Sequence, residues 1–274
     1  MIGEFKEYTR EELDHLHKID LMILKDIVKI LDKHNIPYFL YAGSLLGAVR
    51  HKGFIPWDDD IDIAMFRDDY EKALPVLIQE LDKDKYDVLE PSIQEDCFYS
   101  FAKISLKGTK FSLWYRDYVS FNVGIHIDIF PFDNVPDSDF KAKWYNFKTR
   151  MLNHLMTNSV LKIEDSKAHL LIHYLLKILP ISSKSWKKRF YNANTKYNSQ
   201  KTKRVTEFLI QPGFIAFDRA DLIAGDKMQF EDEKFTVPQN WDKHLTEYFG
   251  DYMKLPPEEE RYNGAPIELD FGKY

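Results

Sequence analysis

Apolar residues recur at helical spacing near the start of the chain, where Leu16, Ile19, Ile23, Ile27, Ile30 and Leu31 share one face. Thr9 followed by Glu12 reads as a capping box that opens this helix, and Asn35 and Pro37 close it. The pattern then shifts to period two. Tyr38-Phe39-Leu40-Tyr41 predicts a short strand, followed by Gly43-Ser44 and a small apolar segment, Leu45 to Val49. A polar loop from Arg50 to Trp57 leads into Asp58-Asp59-Asp60-Ile61-Asp62-Ile63, and a helix carrying Leu74, Leu77, Ile78 and Leu81 begins near Asp68 and Asp69. Another extended run, Gly124-Ile125-His126-Ile127-Asp128-Ile129-Phe130, is expected to end at Pro131. From about 137 to 205 the spacing is mainly helical and rich in lysine, and beyond it short strands such as Lys234 to Val237 are interspersed with loops. The predicted class is α+β, a mixed sheet flanked by helices with a mainly helical insertion. No flexible boundary divides residues 1–274, so a single catalytic domain is expected, with a core at about 15–136, a helical region at about 137–205 and a closing block at about 206–274.

The alternation of acid and isoleucine carries the chemistry. Side chains on a strand alternate faces, so Asp60 and Asp62 are expected on one face and Ile61 and Ile63 on the other. The later run repeats this arrangement, with His126 and Asp128 opposite Ile125, Ile127 and Ile129. If the two strands are neighbours, three carboxylates converge, and their repulsion is relieved by a divalent cation. Hard oxygen ligands select Mg²⁺, with Mn²⁺ the alternative, and point to phosphoryl or nucleotidyl transfer. A calcium loop of the EF-hand type fails, because its sixth position is Ile63 where glycine belongs and its twelfth is Asp69 where glutamate belongs. Asp-x-Asp alone also occurs in sugar-nucleotide glycosyltransferases.

Composition narrows the field further. Lys and Arg number 38 against 44 Asp and Glu, a formal charge of −6 with no basic tract, which argues against nucleic acid as a partner. The one cysteine, Cys97, excludes an internal disulfide, and no Cys/His set has zinc spacing. The first residues lack the apolar core of a signal peptide, and the longest apolar stretch, Leu170 to Ile181, is broken by His173 and Lys177. A cytoplasmic location is therefore expected.

Around the acids lie candidate ligand-binding residues. Gly43 and Ser44 offer backbone amides and a hydroxyl to a phosphate, although Gly43 also suits a plain tight turn. Arg50, His51 and Lys52 stand between that glycine and the acids, placed either to meet phosphate or as a solvated basic loop. Lys103, in Phe101-Ala102-Lys103-Ile104, is a cation in an apolar setting that favours a phosphate partner. His126 shares the acid face, as a substrate contact or as an ordinary hydrogen-bonded histidine, and Trp57 suits base stacking or core packing. The apolar segment Ala168 to Pro180, followed by Lys184, Lys187, Lys188 and Arg189, reads either as a buried helix or as a peripheral contact with an anionic membrane.

Gly-Ser, then Asp-x-Asp some way on, then a distant third Asp, resembles the signature of the polymerase-β-like nucleotidyltransferase fold. More specifically, Tyr41 to Asp62, with Gly43-Ser44-Leu45-Leu46-Gly47-Ala48-Val49-Arg50 and Trp57-Asp58-Asp59-Asp60-Ile61-Asp62, resembles the hallmark block of the LicD family. Gly124 to Pro131 is similar to its second block, and Tyr248-Phe249-Gly250-Asp251-Tyr252-Met253-Lys254-Leu255-Pro256-Pro257 to its closing block. The resemblance spans about residues 15–262, and only the helical middle carries no matching motif. It implies a nucleotidyltransferase-type sheet and transfer of phosphocholine from CDP-choline to a teichoic acid or lipopolysaccharide sugar, with release of CMP. By position it makes Asp60, Asp62 and Asp128 the metal ligands and catalytic acids. Fukutin-type relatives move ribitol phosphate instead, so a CDP-alditol donor is the nearest alternative. Choline, a quaternary ammonium, calls for aromatic faces, and Tyr99, Trp114 and Tyr115 lie between the two acid runs.

Overall fold

The structure is a computed structural model that describes residues 7–91, 97–121, 123–163, 167–179, 181–208, 214–263 and 265–274. Helix α1 (Arg10–Lys33) begins at Thr9, whose side chain accepts from the Glu12 amide while Glu12 reaches back, as the capping box requires. Strand β1 (Phe39–Leu40) leads into α2 (Ala42–Arg50), β2 (Asp62–Phe66), α3 (Arg67–Glu80), β3 (Tyr86–Leu89), β4 (Ala102–Leu106), β5 (Lys110–Ser112) and β6 (His126–Val135). Three helices follow, α4 (Asp139–Val160), α5 (Lys167–Ile178) and α6 (Ser183–Asn194). The chain ends with β7 (Arg204–Thr206), β8 (Phe217–Asp218), β9 (Ala224–Phe230), β10 (Glu233–Pro238), α7 (Trp241–Phe249) and β11 (Glu268–Asp270).

The main sheet runs β1-β2-β6-β4-β3, with β7 and β8 continuing from the far end of β6. Pairing of β2 with β6 is parallel and the other neighbours are antiparallel, so the sheet is mixed and the class is α+β. Period-two alternation divides its residues between two cores. Ile63, Met65, Ile125, Ile127 and Ile129 join Leu16, Ile19, Ile23, Ile27 and Leu31 of α1 and Leu74 and Leu77 of α3. On the opposite face, Ala64, Phe130 and Phe132 pack with Phe39, Tyr41, Val205 and Phe217. Across the sheet's end, Arg67 forms a buried bidentate pair with Asp133 at 2.8 and 2.7 Å.

Two boundary expectations are corrected. β6 does not stop at Pro131 but continues to Val135. Its partner β4 ends opposite Ile129 and β7 starts opposite Asp133, so Pro131 occupies a gap where that edge requires no donor. The strand carrying the acids starts only at Asp62, because β1 and β6 offer ladder partners from there onward, and Asp58 to Asp60 form a loop. Among the described residues no helix is long and apolar enough to cross a membrane.

His244 of α7 is buried among the rings of Tyr41, Phe217 and Tyr248, and neither ring nitrogen has a hydrogen-bond partner. Burial lowers its pKa to about 4, with Asp221 acting weakly in the other direction. Above about pH 6.5 the imidazole is neutral both folded and unfolded, and it affects stability at neither end. Below that value the unfolded chain takes up a proton that the folded chain refuses, so stability falls as pH drops towards about 4. His244→Leu should remove about 2 kcal/mol of the loss of stability between about pH 7 and about pH 5, read by urea unfolding at both values. Equal acid sensitivity in the variant would show that His244 does not titrate in this way.

Candidate active site

Parallel register sets Asp62 directly beside Asp128, and Asp62 is buried while Asp128 is half-buried. The two strands expected to be neighbours are neighbours. Asp60 differs from expectation: it lies in the loop before β2 and is exposed, so it reaches the site from the rim and not from the ladder. The Asp62 amide donates to the Ser44 hydroxyl at 2.8 Å, which ties α2 to the start of β2. Gly43 sits in the first turn of α2, where an added Cβ would stand 2.5 Å from a carboxylate oxygen of Asp58. The glycine is thus required by close approach and not by a turn. Ala42 just before it has φ of +45°, a left-handed value that side chains seldom adopt, where β1 gives way to α2.

Among the described residues, carboxylate oxygens of Asp58, Asp59 and Asp60 lie within 4.8 Å of one another. Three elements remote in sequence hold this loop. Tyr8 donates to Asp59 at 2.6 Å, and Asn263 donates to Asp58 at 3.1 Å and to Asp59 at 2.8 Å. The His17 ring meets the Asp58 carbonyl at 2.6 Å and stacks on Phe54. Crowding raises the acids' pKa values. Burial and then Asp59 push Asp58 up to about 6, and burial lifts Asp59 against the pull of its hydrogen bonds. Asp62 is pushed well above the carboxylate range by burial, then Asp128. Asp60 is pushed the same way by desolvation and by Asp62, Asp58, Asp59 and Asp128, and because it lies exposed at the rim the like charges dominate.

Asp128 is met by Lys103 of β4, whose ammonium donates to both carboxylate oxygens at 2.7 and 2.8 Å. Lys103 also contacts Nε2 of His126 at 2.9 Å. An ammonium only donates, so Nε2 accepts, and the Nδ1 proton goes to the Gly124 carbonyl at 2.9 Å. His126 is therefore neutral, with a pKa lowered to about 4 by burial and then by Lys103. The apolar setting of Lys103 has two causes: the Asp128 pair, and the rings of Tyr99 and Phe101, 4.6 and 5.0 Å below its ammonium. Those rings belong to a larger group. Tyr99 contacts Phe98, Phe121 and Tyr115, and Tyr115 contacts Trp114, itself 53% exposed. The three aromatics singled out from the sequence form a chain of ring contacts, Trp114 to Tyr115 to Tyr99, that reaches Asp128 through Lys103, and none of them lines the acid cavity.

A further acid went unnoticed in the sequence. Asp20 of α1 is 1% exposed, neither carboxylate oxygen has a hydrogen-bond partner, and it lines a cavity of about 230 Å³ with Asp59, Asp60, Lys103, His126 and Asp128. Burial, then Asp59 and Asp128, raise its pKa well above the usual range. A signal existed: Asp20 interrupts the apolar stripe between Ile19 and Ile23. An orphaned buried carboxylate among three others, all hard oxygen donors, fits a divalent cation of the Mg²⁺ or Mn²⁺ kind.

The basic loop is placed differently. Arg50 donates to the Tyr252 carbonyl at 2.8 Å and to His51 at 2.9 Å, joining α2 to the closing block. Burial and the nearby Arg261 lower its pKa, a guanidinium without a carboxylate beside it. His51 packs edge-on against Trp57, over which Arg261 lies. Lys52 is exposed at φ +59°, and its carbonyl accepts from the Glu231 amide in the β9–β10 turn. None of the three lines the cavity that holds Asp60 and Asp128.

Comparison with known proteins follows this geometry. Residues 35–162, which span β1 to the end of α4 and include the acid loop, Lys103 and Asp128, match the LicD/FKTN/FKRP nucleotidyltransferase domain. The chain is 28% identical to the lipopolysaccharide cholinephosphotransferase LicD of Haemophilus influenzae, over 88% of its own length and 91% of that protein. It is also 28% identical over 106 residues to the mouse ribitol 5-phosphate transferase FKRP, covering 39% of this chain and 19% of that one. With the acid-bearing strands paired, residues 35–162 carry a LicD-type nucleotidyltransferase domain, and similarity to a LicD protein extends over 88% of the chain.

Proposed function

We propose that this protein transfers phosphocholine from CDP-choline to a hydroxyl of a bacterial surface glycan, a teichoic acid or lipopolysaccharide precursor, and releases CMP. The observation that supports the choline reading is the aromatic group of Tyr99, Tyr115 and Trp114, which meets the acid cavity at Lys103. A quaternary ammonium donates no hydrogen bond and is held by ring faces, and the same group already holds the Lys103 ammonium. An alditol would instead require hydroxyl-matching polar side chains, which is why ribitol or glycerol phosphate ranks second, despite the FKRP relative.

On this reading residues 15–136 form the nucleotidyltransferase-type core, and Asp60, Asp62 and Asp128, with Asp20 behind them, hold Mg²⁺ or Mn²⁺. When bound, the cation would offset the charge of the donor diphosphate and of the phosphoryl group under attack. The rest falls to the chain. The α2 amino terminus at Gly43 and Ser44 supplies donors for phosphate oxygens. Lys103 orients Asp128, and neutral His126 fixes Lys103 without adding positive charge. Asp128 accepts the proton of the acceptor hydroxyl as its oxygen bonds to the phosphorus of phosphocholine. The bond from that phosphorus to CMP breaks, and CMP departs with the electron pair. The expected setting is cytoplasmic, where both CDP-linked donors and lipid-linked glycan precursors are within reach.

Purified protein given Mg²⁺, a choline-free glycan acceptor and a panel of CDP-linked donors should release CMP fastest from CDP-choline. Asp60→Asn should lower that rate about a hundredfold or more, with the far-UV circular dichroism unchanged. Full turnover by this variant would overturn the metal assignment. Mg²⁺ or Mn²⁺ should raise the melting temperature of the wild type, and Asp20→Asn should shrink that rise; an undiminished rise removes Asp20 from the cation's surroundings. Trp114→Ala should raise KM for CDP-choline about tenfold while kcat holds, and an unchanged KM would place the choline elsewhere.

A further inference from the structure

Between 139 and 194 the chain carries eleven Lys and Arg against three Asp and Glu, whereas the remainder carries 27 against 41. The positive charge of an acidic protein is concentrated in α4, α5 and α6. On α4, Phe140, Trp144, Phe147 and Met151 recur at i, i+4, i+7 and i+11 and are 82%, 63%, 59% and 48% exposed. At 3.6 residues per turn they form one narrow stripe, the opposite of the side that buries Ala142, Tyr145 and Thr149. Exposed basic residues border that stripe on both sides. Lys141 and Lys148 lie along one edge and Lys143 and Arg150 along the other.

Further along the same face His154 and Leu155 are half-buried and Asn158 is buried, because α5 folds over it, the His173 ring meeting the Asn158 carbonyl at 2.7 Å. α5 then presents its own apolar stripe outward: Leu171, Tyr174, Leu175 and Ile178 are all exposed, Ile178 at 80%. Its packed side, with His173 and Leu176, faces α4 and α6. The apolar surface is therefore relayed from one helix to the next. The basic cluster expected after Pro180, a residue outside the described ones, is partly internal: Lys187 donates to the Pro91 carbonyl at 2.8 Å and Arg189 lies over Trp186.

We propose that the α4–α5 face is a docking surface for an anionic lipid bilayer, with Phe140, Trp144 and Phe147 seated at the headgroup boundary and Lys141, Lys143, Lys148 and Arg150 against lipid phosphates. Charge complementarity selects this occupant. An exposed aromatic and aliphatic stripe edged by cations is the pattern of a helix lying in a membrane interface, where apolar burial and attraction to anionic headgroups add. Trp in particular prefers that boundary. None of the docking face's residues lines the acid cavity, so a bilayer on this face does not use the residues of that site. That the membrane also presents the glycan acceptor rests on the transferase reading; the docking surface itself does not.

Sedimentation of the full chain with vesicles tests this without any donor or acceptor, so failure here leaves the transferase reading intact. Wild type should pellet with vesicles of phosphatidylglycerol in phosphatidylcholine and stay in solution with phosphatidylcholine alone. The variants Phe140→Ser/Trp144→Ser/Phe147→Ser and Lys141→Glu/Lys148→Glu should each lose about tenfold or more in partitioning. All five positions are exposed, and far-UV circular dichroism checks that the variants stay helical. Absence of wild-type binding to the anionic vesicles, or undiminished binding by both variants, overturns the proposal. So does a dimer that the triple serine variant dissociates, which would assign the face to a second copy.

Discussion

Parallel pairing of β2 with β6 places Asp62 beside Asp128, and the architecture around the site answers to that juxtaposition. Two carboxylates at one level of a sheet, half or fully desolvated, repel each other, and Asp62 is pushed above the ordinary carboxylate range. Lys103 offsets part of this repulsion from β4, on the far side of β6, with its ammonium against both Asp128 oxygens. Lys103 also pulls on Asp62, but burial and the neighbouring acids outweigh it. Asp62 has its amide fixed by Ser44, its carboxylate buried and its proton affinity raised. The site is an arrangement under electrostatic tension in which Lys103 pairs with Asp128 while burial and like charges raise the pKa values of the surrounding acids.

That tension explains why the loop of Asp58 to Asp60 is bound so firmly from outside. Tyr8 from the amino-terminal segment, His17 from α1 and Asn263 from near the carboxyl terminus all clamp residues that would otherwise spread apart. Asp20 adds to the repulsion and gains nothing from the protein in return. Burying a carboxyl with both oxygens unpaired destabilises a fold by a few kcal/mol, a burden that is hard to understand in a helix whose other buried residues are mostly aliphatic unless a ligand repays it.

Much of this was legible in the chain, for identifiable reasons. The Ile-Asp-Ile runs give away their strands because the period of two is enforced by a core on one side only, and Ile63, Ile127 and Ile129 do lie in that core. The capping box of α1 is a local interaction that needs no tertiary context. What stayed hidden depends on pairing. Asp60 leaves the ladder because no neighbouring strand reaches it, and Pro131 stays within β6 because the neighbours on one side happen to leave a gap there. Lys103 was recognisable as an unusual cation in apolar surroundings, but only the register of β4 against β6 makes Asp128 its partner. Asn263 and Tyr8 carry no local signal at all, since each is significant only through a contact across 204 and 51 positions of sequence.

The distribution of charge joins the two halves of the molecule into one account. Acids concentrate where a cation and a diphosphate would be handled, and cations concentrate on helices that share little of the main core. Had these populations been mixed, the lysines of α4 would screen the acid cavity and weaken its hold on a dication, and the acids would repel an anionic surface from the helices. Segregation lets both fields act at short range, where a Debye length of about 8 Å keeps each from cancelling the other. A whole-chain charge of −6 hides this completely. The acids would meet an anionic donor only through a cation held between them, whereas the lysines meet an anionic surface directly, so the two fields serve different partners.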